Sequence, residues 1–186
     1  MKNKNFIIYI ILLITIFANY SFSDDFIFEA SEIKILDKGN IVKSSGGVKI
    51  ISNDNLEIIA DNSLYDKKKS ILKLEGNISI NDIKNNIKIF TNKINYFKKK
   101  EIIIAEKKVR SEIKEKYTID TGELIFDRNL LEISSSSKTT LKDSIENIFN
   151  LDEFVLRINE DILKTKNLNL KDNENNDLFL ENAIVD

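Results

Sequence analysis

LEIIADNSLYDKKKSILKLEGNISIND, residues 56–82, alternates apolar and polar side chains twice, with a lysine-rich turn between the two runs. Leu56, Ile58 and Ala60 fall on one face, and Glu57, Ile59 and Asp61 on the other. Beyond the turn, Leu72, Leu74, Gly76, Ile78 and Ile80 share a face opposite Lys73, Glu75, Asn77 and Ser79. A period of two marks an antiparallel strand buried on one side. The pattern recurs about every thirty residues, in units that begin at Phe26, Leu56, Ile87, Tyr117 and Ile148, with a partial unit at Leu178. The first four units pass a small residue (Ala30, Ala60, Thr91, Thr121). An apolar or aromatic pair then precedes a charged turn: YDKKK from Tyr65, YFKKK from Tyr96 and FDRN from Phe126. A unit this small cannot bury its apolar face alone, so copies must stack. The expected body is elongated and all-β, built from short antiparallel strands, on the order of 50 Å long at ~4.8 Å per strand. Its two faces either close into a sandwich core or stay apart as an apolar groove.

Turn signals stand at Lys38-Gly39-Asn40, 44–47, 53–55, Asn85-Asn86 and 172–177, which fits strands of roughly ten residues. Gly47 and Gly76 are expected at bulges or tight bends. Two stretches resist the pattern. Ile102-Ile103-Ile104 gives no alternation to assign a face. Ile148, Leu151, Val155, Ile158 and Ile162 are spaced three and four apart, the stripe of an amphipathic helix, with Ser144 as a possible cap. Phe154-Val155-Leu156, however, falls where Leu124-Ile125-Phe126 falls one unit earlier, and the segment is assigned to strand.

Composition narrows the chemistry. The 186 residues include no His, Cys, Pro or Trp, which removes the usual proton shuttle, the thiol nucleophile and the soft metal ligands. The net charge is −2, and about −4 without Lys2 and Lys4, so nucleic acid is a poor partner. Residues 1–23 read as a signal peptide: Lys2 and Lys4 lead, an apolar run of about thirteen residues follows, and Ser21 and Ser23 offer a cleavage site before Asp24. A retained N-terminal anchor is the alternative. The repeat domain is expected over 24–186, exported behind that signal.

Ile58-Ile59-Ala60-Asp61, Leu64-Tyr65-Asp66 and Leu74-Glu75-Gly76-Asn77-Ile78-Ser79-Ile80 resemble the repeat of the OstA-like lipopolysaccharide-transport family, where A-D, Y-D and G-N-V recur. That family includes LptA, LptC and the N-terminal periplasmic domain of LptD. The resemblance runs from Phe26 to Val185 and is firmest in the second unit. Later, Thr91-Asn92 and Thr121-Gly122 stand for Ala60-Asp61, and Lys107-Lys108-Val109 for Gly76-Asn77-Ile78. The stretch SSSSKTTLKD … LDEFVLRINEDILK, within 134–164, is more similar to alphaproteobacterial LptD N-terminal regions than to LptA. LptD continues into a large barrel, whereas Asp186 falls in what reads as the first strand of a sixth unit. The chain is therefore expected to be an N-terminal region of that kind, with a free-standing bridge protein as the alternative.

The resemblance implies a twisted β-jellyroll that holds lipopolysaccharide acyl chains without catalysis and passes them toward the outer membrane. Domains of this kind would join by edge-strand addition, here through the strands near 26–35 and 178–185. An outer-membrane lipoprotein is a further partner if the chain is LptD-like. The groove candidates are Ile58, Leu72, Leu74, Ile78, Ile80, Ile89 and Phe126, set against the simpler role of filling a core. Lys67, Lys68, Lys69, Lys98, Lys99 and Lys100 form rim candidates for lipid phosphates, set against plain solvated turns. Asp61 and Asp66 are weighed as an acid–base pair and assigned to turn and corner hydrogen bonding instead. No catalytic residue, cofactor or metal site is expected. A structural β-solenoid or adhesin, with its function on the polar face, is the alternative of another class. A carbohydrate-active β-helix enzyme would need clustered acids and surface aromatics, which the sequence lacks.

Overall fold

The computed structural model describes residues 26–185, so the expected signal segment lies outside the described residues. Thirteen strands form one antiparallel sheet: β1 (Phe26–Leu36), β2 (Ile41–Ser52), β3 (Leu56–Asp66), β4 (Ile71–Asp82), β5 (Ile87–Phe97), β6 (Ile102–Ile113), β7 (Tyr117–Asp127), β8 (Glu132–Ser135), β9 (Thr139–Asp143), β10 (Ile148–Leu151), β11 (Glu153–Arg157), β12 (Ile162–Lys171) and β13 (Asp177–Val185). The described residues contain no α-helix. The fold class is all-β, an open, folded sandwich of stacked hairpins.

The connectivity is simpler than thirteen strands suggest. β8 and β9 pair with the second and first halves of β7, and β11 and β10 pair with them in turn. β12 spans both β11 and β10. β8 with β9, and β10 with β11, are therefore two long strands, each interrupted midway. The described residues form a meander of eleven long passes, and each thirty-residue unit contributes one pass out and one back.

Every pass bends near its middle. The pairings of β1 through β7 all shift register there, between Ala30 and Glu32, Ser45 and Val48, Ile59 and Asn62, Glu75 and Ile78, Phe90 and Lys93, and Glu106 and Val109. Bulges bend and overtwist a strand. Aligned across neighbours, they form a crease that folds the sheet into two half-sheets. The first carries 26–30, 56–60 and 87–91; the second carries 62–66, 71–75 and 93–97. Their inner faces meet: Phe26 of the first packs edge-to-face on Tyr65 and Tyr96 of the second, with ring centroids 5.0 and 5.9 Å apart.

The crease accounts for the repeat motif. On its concave side small and larger residues alternate between neighbouring strands, with Ala60, Ser63, Ala105 and Thr121 buried beside Val48, Leu74, Leu124 and Val109. On its convex side, Asp61 lies over the Gly76-Asn77 bulge and accepts a hydrogen bond from Asn77 Nδ2 at 2.9 Å. Gly76 has φ of +78°, and a Cβ there would sit 2.9 Å from the Asp61 Cβ and Cγ. Ser44–Gly47, read from sequence as a turn, is this same bulge inside β2, and Gly46 and Gly47 both have positive φ. Lys107 and Lys108 keep the conformation that Gly76-Asn77 has, at φ of 69° and 60°, although the sequence has diverged. Left-handed backbone costs a residue with a Cβ roughly 1–2 kcal/mol. Lys108→Gly is therefore expected to stabilise the fold by up to ~1 kcal/mol and Gly76→Ala to destabilise it by ~1–2 kcal/mol, read from urea midpoints.

Candidate functional site: the apolar interior and its rim

The space between the half-sheets is lined by the inward residues of every pass. Ile58, Leu72, Leu74, Ile78, Ile80, Ile89 and Phe126 all lie in it, each buried and part of one apolar cluster. They do not line an open trough in this structure. They pack against one another, so the interior between them is filled. Ile103 also faces in, which assigns the ambiguous isoleucine run, and Phe154 and Leu156 do so as strand residues of β11.

The interior reaches the surface at both ends of the array. Ile33 and Ile35 lie opposite the buried Ser44 and Val42 and so belong to the inner face, yet they are 43% and 68% exposed. At the other end, Leu178 and Leu180 pair with Leu170 and Leu168 on the inner face and are 48% and 38% exposed. β1 and β13 also carry outward apolar residues, Ile27, Phe179 and Ile184, that are well exposed.

Opposite the crease, the turns form a rim. On the second half-sheet they stack by backbone hydrogen bonds: Lys67 N donates to Asn40 O, Lys98 N to Ser70 O, Arg128 N to Glu101 O and Ile158 N to Leu131 O, at 2.8 to 2.9 Å. Lys67-Lys68-Lys69 and Lys98-Lys99-Lys100 therefore occupy adjacent turns on one side. Lys68 pairs with Asp37, and Lys69 with Asp66, whose carboxylate also accepts the Lys69 backbone N–H at 3.1 Å. Asp66 thus organises a rim turn while Asp61 works at the crease, and the two are not brought together. Lys98 turns inward; Lys99 and Lys100 are exposed.

Sequence reasoning missed the residue that fastens this rim. Arg128, in the turn after β7, reaches across to the first half-sheet. Its Nε donates to Asp82 Oδ2 at 2.8 Å, and its Nη1 donates to Asp54 Oδ2 at 2.6 Å, Glu101 Oε2 at 2.5 Å and the Tyr96 hydroxyl at 2.9 Å. The Tyr96 hydroxyl donates to Glu101 Oε2 at 2.6 Å, and Lys98 Nζ bridges Asp54 and Glu101 at 3.1 and 2.6 Å. The Arg128 and Asp82 side chains are 5% and 1% exposed. Burial pushes the Asp54 carboxyl up, but hydrogen bonds from Ser52, Arg128 and Lys98 outweigh it and hold Asp54 well below the usual carboxylate range. Burial, then the bond to Glu101, pushes the Tyr96 phenol above its ordinary value. The only sequence signal was Arg in FDRN where Lys stands in the two earlier turns.

A second contact crosses the rim farther along. Tyr117 Oη donates to Asp161 Oδ1 at 2.9 Å, and the Lys116 ammonium pairs with Asp161 Oδ2. The hydrogen bond from Lys116 is the main influence holding the Asp161 carboxyl down. The outer face of the first half-sheet has a polar hollow of about 570 Å³ whose charges are mixed, Lys88, Arg110 and Lys142 beside Glu112, Asp120 and Glu146. Among the described residues no group of three or more His, Cys, Asp or Glu is placed to hold a metal ion, and no helix is long and apolar enough to cross a membrane.

No family model matches the chain, and no curated protein matches it. Among solved structures, the chain is similar to LptH of Pseudomonas aeruginosa, described as the LptA-homologous periplasmic component of the lipopolysaccharide transport device. Identity is 14% and the TM-score 0.49, with 55% of this chain and 75% of that chain covered.

Proposed function

We propose that this chain is a non-enzymatic lipid-binding module that takes lipopolysaccharide acyl chains between its half-sheets and passes them across the periplasm toward the outer membrane. The reading commits to the N-terminal region of an LptD-type protein, with an outer-membrane lipoprotein as a partner. The observation that carries the transport role is one continuous apolar interior, running through all eleven passes and exposed at Ile33 and Ile35 at one end and Leu178 and Leu180 at the other. An acyl chain of about a dozen methylenes gains up to ~10 kcal/mol on leaving water. Near-equivalent apolar sites in series let it move without release. Lys99, Lys100 and Lys68 stand on the rim where lipid phosphates would emerge. The repeat motif itself supports the fold and not the cargo, since Asp61, Gly76 and Asn77 serve the crease.

The second reading is an LptA- or LptC-like bridge protein, which would join similar domains through β1 and β13. Each pairs with a single neighbour among the described residues and carries exposed apolar side chains suited to edge-strand addition by a similar domain. A structural β-solenoid is favoured by the filled state of the interior. Photo-crosslinking amino acids at Ile35, Ile78 and Leu180, with outward Lys73 as control, discriminate in cells. Lipopolysaccharide adducts are expected at the three inward positions and not at Lys73. Adducts nowhere, or equally at Lys73, would sink the transport reading.

A further inference from the structure

The rim is fastened at two places of very different character. The Arg128 clasp is buried and joined to three carboxylates and a phenol. The Lys116–Tyr117–Asp161 clasp joins the turn after β6 to the turn after β11, and its Lys116 and Asp161 side chains are 48% and 43% exposed. Immediately beside it lies a cavity of about 190 Å³, bounded by Lys114, Lys116, Tyr117 and Asp161 and floored by Ile113, Leu156 and Ile158. Those three floor residues are buried members of the same apolar cluster as Leu74 and Phe126. At this one clasp the core itself forms the bottom of an opening in the rim, with one exposed ion pair and one phenol at its mouth.

We propose that this opening is a side port, through which the hydrocarbon tail of an anionic amphiphile passes into or out of the interior when the Lys116–Tyr117–Asp161 clasp parts. The proposal rests on the reading of the interior as a lipid path. The floor is aliphatic, which suits a hydrocarbon tail and no polar ligand. The mouth sets two lysines, Lys114 and Lys116, against one carboxylate, so it favours an anionic head group. When Asp161 leaves, a phosphate or carboxylate takes its place on Lys116, and no charge is stranded. Exposed ion pairs are the cheapest polar contacts to open, whereas breaking a buried network such as that of Arg128 is costly. If the rim opens anywhere, it opens beside Asp161.

The chain has no cysteine, so Lys116→Cys and Asp161→Cys can be joined by a short, reducible bis-methanethiosulfonate linker. The probe is cis-parinaric acid, a fluorescent single-chain carboxylate, with uptake followed by stopped flow. The linked protein is expected to take it up about tenfold more slowly than wild type, with the same amount bound at saturation and with recovery on reduction. Asp161→Asn is expected to speed uptake. Equal rates in linked and reduced protein, with normal saturation, would overturn the port while leaving the interior path through the ends intact. Absence of binding by every form would overturn the lipid reading itself, and the port with it.

Discussion

Replacing Arg128 with Met is expected to lower the free energy of unfolding by about 3–5 kcal/mol, read as a fall in the urea midpoint at pH 7. Domains of this kind have roughly 5–15 kcal/mol in total, so the variant stands near the limit of folding. The reason is what the substitution leaves behind. Asp82 is 1% exposed and accepts its Arg128 bond at 2.8 Å, so without the guanidinium a carboxylate is buried with no cation beside it. Asp54 and Glu101 keep Lys98 and are less affected. Arg128→Lys should recover only part of the loss, because one ammonium cannot donate in the planar fork that serves Asp82 on one side and Asp54, Glu101 and Tyr96 on the other. Asp82→Asn in the Met background should regain stability by removing the buried charge. Acid should act in the same direction. A carboxyl held below its unfolded value contributes stability that is present above about pH 4 and is lost as pH falls through the folded value. Asp54 and Asp161 are both held down, so wild type loses stability below about pH 4, and Arg128→Met loses less over that range.

The meander and its phase were legible because strand alternation is a local property. Units read from Phe26, Leu56, Ile87, Tyr117 and Ile148 coincide with the first residues of β1, β3, β5, β7 and β10. Register over the inner face follows directly, since a slip by one residue would turn Leu72 and Leu74 to solvent. The crease was legible in part, as the bulges expected at Gly47 and Gly76 and as a small residue in the first four units, but not as a fold running across neighbouring strands. Its meaning depends on contact with the next strand, as Asp61 meets Gly76-Asn77, and alternation carries no information about bending. For the same reason Ser44–Gly47 read as the end of a strand when it is the middle of one. The rim clasps left one trace, Arg in FDRN where Lys stands in the two earlier turns, and their partners were not legible. Arg128 and Asp82 are forty-six residues apart, and they meet because two half-sheets fold over each other with a twist. Neither alternation nor turn chemistry encodes that offset. Whether the interior is filled or open belongs to the same class of question, because it depends on how closely the faces approach.

Two substitutions on the same inner face should separate cargo path from scaffold. Phe126 is fully buried in β7, between Ile103 and Ile133 of the flanking strands, and Phe126→Ala is expected to cost about 3–5 kcal/mol through lost burial and a cavity. Any fall in lipid adducts in that variant tracks the loss of folded protein. Ile35 faces the same way but lies at the exposed end, 68% accessible, so Ile35→Asp should change stability by no more than about 0.5 kcal/mol. A carboxylate at that mouth is nevertheless a barrier to a passing hydrocarbon, which would have to lie against a charge that holds its water. If acyl chains move through the β1 end, Ile35→Asp should cut the lipopolysaccharide adduct at Ile78 about tenfold in a protein as stable as wild type, a difference of ~1.4 kcal/mol in occupancy. A pure scaffold predicts the opposite pairing, a phenotype for Phe126→Ala in proportion to unfolding and none for Ile35→Asp. Wild-type adduct yield in Ile35→Asp would therefore remove the β1 end from the path.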